Sequence, residues 1–124
     1  MAKKSIRLLA ALLGISANLM PLTAQAEQMV WQFKSTYKYA VEFQLYAQNR
    51  GNVWPGSTKV YSLKDSKTYR YPITCNKGDY ICYGAWSAGK STTYWGVGRT
   101  NQHKCKDCCY TCGNANPPLK TLTP

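Results

Sequence analysis

Apolar and polar residues alternate in short runs along most of this chain, and turn signals close each run. Met29 to Phe33 is rich in β-formers. From Tyr39 to Tyr46, Val41, Phe43 and Leu45 fall on one side and Glu42, Gln44 and Tyr46 on the other. Thr58 to Leu63 repeats the pattern, with Val60 between Lys59 and Tyr61. Thr68 to Cys75 places Tyr69, Tyr71 and Ile73 on one face; Pro72, which cannot donate to a ladder, sends this strand to a sheet edge or a bulge. Tyr80 to Trp86 and Thr92 to Val97 complete the set. Turns fall at 48–52, 64–67 and 87–90, and 76–79 reads as a hairpin loop in which Gly78 supplies a positive φ. No helical period follows residue 26. The expectation is an all-β fold: a small antiparallel β-sandwich of six to seven strands, immunoglobulin-like or related, with a disulfide-stapled C-terminal segment. The domain spans 27–113; residues 114–124, with Pro117, Pro118 and Pro124, read as a flexible C-terminal tail.

The first 26 residues follow a different logic. Lys3, Lys4 and Arg7 precede an apolar run from Leu8 to Leu19, and Ala24-Gln25-Ala26 matches a small-x-small cleavage site. The run is shorter than the roughly 20 residues of a membrane span. Residues 1–26 are therefore expected to be a signal peptide, the mature chain to start at Glu27 without a transmembrane segment, and the destination to be periplasmic or secreted.

Composition then sharpens the fold. Only 12 Leu, Ile, Val and Met residues follow the signal, against all 16 aromatics. The core of so small a domain must be largely aromatic, and disulfides are expected to add stability. The formal net charge is +11, or +8 once Lys3, Lys4 and Arg7 are removed. A solvated surface accounts for part of this excess; attraction to polyanions is the functional alternative. An Arg-rich block and a nucleic-acid module signature are both missing, so nucleic acid is not the expected partner.

Four of the six cysteines fall in one run, Cys105-Lys106-Asp107-Cys108-Cys109-Tyr110-Thr111-Cys112, and Cys75 and Cys82 lie upstream. In an exported chain this is a disulfide framework. Neighbours such as Cys108 and Cys109 are poorly placed to bond each other and point to opposite sides of an extended chain, so each needs its own partner. At least one of Cys75 and Cys82 is expected to reach the cluster, clasping the C-terminal segment across the 75–82 loop; the connectivity stays open. Zinc binding by His103 and the clustered thiols is the weaker reading, because one contiguous run arranges poorly as a tetrahedron. A redox C-x-x-C lacks a helix N-terminus to lower its thiol pKa. No metal and no cofactor are expected.

No catalytic constellation is visible, and no catalytic residue is assigned. His103 reads as a surface residue, with Glu42 as its only notable acid/base partner. Candidate binding residues are Trp54, Trp86, Tyr94 and Trp95, whose rings can stack on sugars, with Lys90 and Arg99 for charge. The competing reading puts the Trp residues in the core.

Asn49-Arg50, Val53-Trp54-Pro55-Gly56, Cys75-x-x-Gly78-x-x-Ile81-Cys82-Tyr83-Gly84-Ala85-Trp86, Tyr94-Trp95-Gly96-Val97-Gly98 and Cys105-x-x-Cys108-Cys109-Tyr110-x-Cys112 together resemble a group of small secreted cysteine-rich proteins of α-proteobacteria. The resemblance covers most of residues 37–113 and implies an exported, compact, disulfide-bonded domain; it carries over no catalytic residues. The expected function is a binding module for an anionic envelope component, glycan or host surface. The alternatives are a small basic enzyme or toxin of nuclease type, and a purely structural envelope protein.

Overall fold

A computed structural model describes residues 25–98 and 103–124 of the chain. The expected signal peptide thus lies almost wholly outside the described residues. Those residues form nine strands and no helix: β1 (Ala26–Ser35), β2 (Val41–Ala47), β3 (Val53–Trp54), β4 (Tyr61–Leu63), β5 (Tyr69–Asn76), β6 (Tyr80–Ser87), β7 (Lys90–Gly96), β8 (Cys109–Thr111) and β9 (Lys120–Leu122). The smaller sheet has the order β5-β1-β9. The larger is built on the long β2–β6 pair; β3 and β4 share the free edge of β2, and β7 and β8 share the free edge of β6. All pairs are antiparallel except β1–β9.

The strand count exceeds the expected six to seven because β3, β8 and β9 are edge pieces too short to show alternation. The strand expected from Thr58 begins only at Tyr61: Gln44 donates its amide to Lys59 O at 2.7 Å and Gly56 O at 3.3 Å, folding residues 56–59 over the sheet face instead. Pro72 does lie on an edge strand, β5, opposite Val30.

The two sheets pack through rings. Phe33 sits at the centre, fully buried, with ring centroids at 4.2 Å to Phe43, 5.2 Å to Tyr83 and 5.8 Å to Trp31. Phe43 meets Tyr71 at 4.9 Å and Tyr61 at 5.0 Å. Aliphatic residues only fill between them: Met29, Val41, Leu45, Leu63, Ile73, Ile81 and Leu122. Burial pushes the phenols of Tyr71 and Tyr83 up to about 12, so both stay neutral in the core.

Residues 76–79 are not the loop of a hairpin. β5 belongs to the smaller sheet and β6 to the larger, so the turn is a corner between sheets. The corner is built on Asp79, which is buried. Its carboxylate accepts from the Asn76 N–H at 2.9 Å and from Arg50 at 2.7 and 2.8 Å, and Asn49 donates at 3.2 Å. Gly78, at φ 94°, gives the turn its left-handed step.

Both upstream cysteines reach the cluster. Cys75 bonds Cys112, Cys82 bonds Cys109, and Cys105 bonds Cys108. Cys112 lies against the corner, donating its N–H to Asp79 O and accepting from Gly78 N–H, each at 2.8 Å. The chain beyond it crosses back to the smaller sheet as β9. Residues 114–124, expected as a flexible tail, are therefore docked: Leu122 is buried, Pro117 is buried, and Asn116 Oδ1 accepts from Val30 N–H at 3.0 Å. The docking follows from a parallel register that places Leu122 beside Ser35 at the core edge.

Two outcomes test this framework. Cys75→Ala with Cys112→Ala removes a bond spanning 37 residues and should lower stability by about 3–4 kcal/mol in urea unfolding. The Arg50 guanidinium holds the Asp79 carboxylate down at about 2, against about 4 in an unfolded chain. Its stabilisation is complete above about pH 4 and is lost as pH falls through about 2. Asp79→Asn should remove that part of the acid slope and cost about 1–2 kcal/mol at neutral pH.

Candidate functional site

The pairing register sorts the aromatic candidates onto two faces. Trp54 stands opposite Leu45, and Trp95 opposite Ala85, on the side that faces the smaller sheet. Both pack against the core; Trp95 also meets Tyr37 at 5.3 Å and donates its indole N–H to Thr123 O at 2.7 Å. Trp86 and Tyr94 form a cross-strand pair on the outer face of the larger sheet. The four candidates thus share no single surface. Lys90 falls on β7 by its backbone, while its side chain and Arg99 lie outside the described residues.

On the outer face a row of side chains crosses the sheet. Glu42 Oε1 accepts from the Trp86 indole N–H at 3.1 Å. Trp86 lies nearly parallel to Tyr94, 6.1 Å between centroids, and Tyr94 stacks on His103 at 4.1 Å. Glu42 and His103 therefore stand at opposite ends of the row with two rings between them, and no acid/base pair forms. The Tyr94 hydroxyl reaches Val97 O at 3.3 Å, above Gly84. Burial raises the Tyr94 phenol, and a hydrogen bond with Tyr46 partly offsets this.

Beside this row opens a cleft of about 600 Å³. The Cys82–Cys109 disulfide lies along it, with Val97, Gln48 and Tyr80 around it and His103, Lys104 and Cys105 on the far wall. Tyr80 is half exposed, and the Gln48 amide nitrogen is a buried donor without a partner. No carboxylate lines the cleft among the described residues. No three His, Cys, Asp or Glu side chains gather to hold a metal among those residues, and all six cysteines are in disulfides.

Tyr80, Gln48 and Lys104 were not picked out from the sequence. The signal that could have found them is parity: Gln48 shares a face with Tyr46, and Tyr80 with Cys82. Lys104 precedes a cysteine of the cluster, but only tertiary contacts, the Cys82–Cys109 bond and the β6–β8 pairing among them, bring that segment over this face.

No family model, no curated protein and no solved structure matches the chain. The class is thus defined by fold alone: a β-sandwich-like, all-β domain held by three disulfides, with no helix among the described residues long and apolar enough to cross a membrane.

Gly84 is what lets Tyr94 lie flat. A Cβ there would strike Val97 O and the hydroxyls of Tyr94 and Tyr46. Gly84→Ala should cost about 1–3 kcal/mol and break the Tyr94–His103 stack, read as a loss of ring-current shifts on the His103 imidazole protons.

Proposed function

We propose that this protein is an exported binding module for an anionic envelope glycan, and that the outer-face cleft is its binding site. The observation that carries this reading is the cleft wall: His103, which is stacked on Tyr94 behind it, Lys104 and the exposed Tyr80 line a space free of carboxylates among the described residues. A carboxylated sugar has an anionic group for Lys104 and an apolar ring face for Tyr80.

Export is supported by the signal-like N-terminus and by three disulfides, which persist in oxidising compartments. The net positive charge strengthens capture of an acidic polymer at low salt. The likeness to small secreted α-proteobacterial proteins belongs to the same proposal.

Calorimetric titration with polygalacturonate should show binding, and neutral dextran none. Binding should weaken steeply between about 50 and about 200 mM salt as the Debye length shrinks. Tyr80→Ala and Lys104→Ala should each weaken it by roughly threefold to tenfold. No retention on any acidic glycan or envelope fraction at low salt would overturn the reading.

A further inference from the structure

The three disulfides do different structural work. Cys75–Cys112 and Cys82–Cys109 join separate strands over sequence separations of 37 and 27 residues. Cys75, Cys82 and Cys112 are almost wholly buried, and Cys109 is partly buried. Cys105–Cys108 closes a separation of only 3. Its two sulfurs also differ: Cys105 is exposed on the cleft wall, and Cys108 is 3% exposed. Breaking this bond frees no strand, because β8 remains tied by Cys82–Cys109 and Cys108 O still accepts the Tyr83 N–H at 3.1 Å.

We propose that Cys105–Cys108 is a thiol–disulfide exchange site that takes electrons from a dithiol of another exported protein. The site borders the proposed glycan cleft and shares Lys104 with it, but the proposal does not rest on glycan binding. An incoming thiolate meets Cys105, the exposed partner of the bond. Lys104 and Lys106 flank Cys105, with Asp107 the single opposing charge in the loop, so the site attracts an anionic nucleophile. The open cleft gives the partner's cysteine room to approach.

The exchange balances as follows in atoms and electrons. The partner thiolate attacks Cys105 Sγ, forming a mixed disulfide, and the Cys105–Cys108 bond breaks. Cys108 leaves as a thiolate and takes a proton from solvent. The partner's second thiolate then attacks the partner sulfur of the mixed disulfide and releases Cys105. The partner loses two electrons and two protons and becomes a disulfide; Cys105 and Cys108 become a dithiol. Exchange with a different protein disulfide, in the reverse sense, restores the bond.

The oxidised protein, held in glutathione buffers of graded redox poise and then alkylated, can be mapped by mass spectrometry. Cys105 and Cys108 should be alkylated while Cys75, Cys82, Cys109 and Cys112 stay protected, with the near-ultraviolet circular dichroism of the fold retained. Simultaneous reduction of all three disulfides, or prior reduction of another, would overturn the proposal. Direction is tested with glutathione disulfide as probe. Cys108→Ser, which leaves Cys105 free, should form the mixed disulfide at least roughly tenfold faster than Cys105→Ser, which leaves the buried Cys108. Equal rates would sink it, and the graded reduction of the unaltered chain decides the question if either variant fails to fold.

Discussion

The fold depends on two of the four crossings between its sheets being fastened side by side. The chain passes from the smaller sheet to the larger at 77–79 and returns at 112–119. Cys112 hydrogen-bonds both ways to the first crossing, and its sulfur is bonded to Cys75. Strands of three residues such as β8 and β9 do not persist by pairing alone. They persist here because the covalent bond removes most of the freedom that the C-terminal segment would otherwise regain on detaching. Asp79 holds the same place from the other side. Its buried carboxylate binds the turn backbone and Arg50, so the β2–β3 turn, the corner and the cysteine run meet at one point.

The aromatic excess serves two faces of one sheet. Inward, Phe43 and Tyr83 meet Trp31 and Phe33 from the smaller sheet, and ring area replaces the scarce aliphatic side chains. Outward, Trp86, Tyr94 and His103 lie in a row over Gly84, where the missing side chain leaves space for a flat ring. The same residue type thus builds core at Trp31 and an outer-face stack at Trp86. Strand parity decides which, because successive side chains alternate between faces.

The cleft is a product of the staple. Cys82 faces outward on β6, and its bond to Cys109 draws the residues before β8 across that face. His103 and Lys104 arrive there with it, beside Gln48, just past the end of β2, and Tyr80, the first residue of β6. Cys82–Cys109 thus bears on the composition of the site, while Cys75–Cys112 fixes the C-terminal segment beyond it. The adjacent Cys105–Cys108 bond is a local loop closure with Cys105 exposed, whereas the other two bonds join separate strands.

Alternation and turn chemistry made the all-β class, the long strands β2, β5 and β6 and the edge position of Pro72 legible in the sequence, because each is a property of neighbours along the chain. Poverty in aliphatic residues likewise required a ring-filled core, and the adjacency of Cys108 and Cys109 required separate partners. Tertiary structure alone decided the rest. Whether 76–79 made a hairpin or a corner turned on Arg50, 29 positions from Asp79, reaching its carboxylate. Whether 114–124 frayed or docked turned on a parallel pairing with β1, some 86 positions away. Trp54 and Trp95 went to the core and Trp86 to the outer face because register, a relation between strands, fixes which side each ring takes. Contacts of that range leave no local pattern, since the residues that make them are chosen by packing and by disulfide bonds rather than by sequence neighbours.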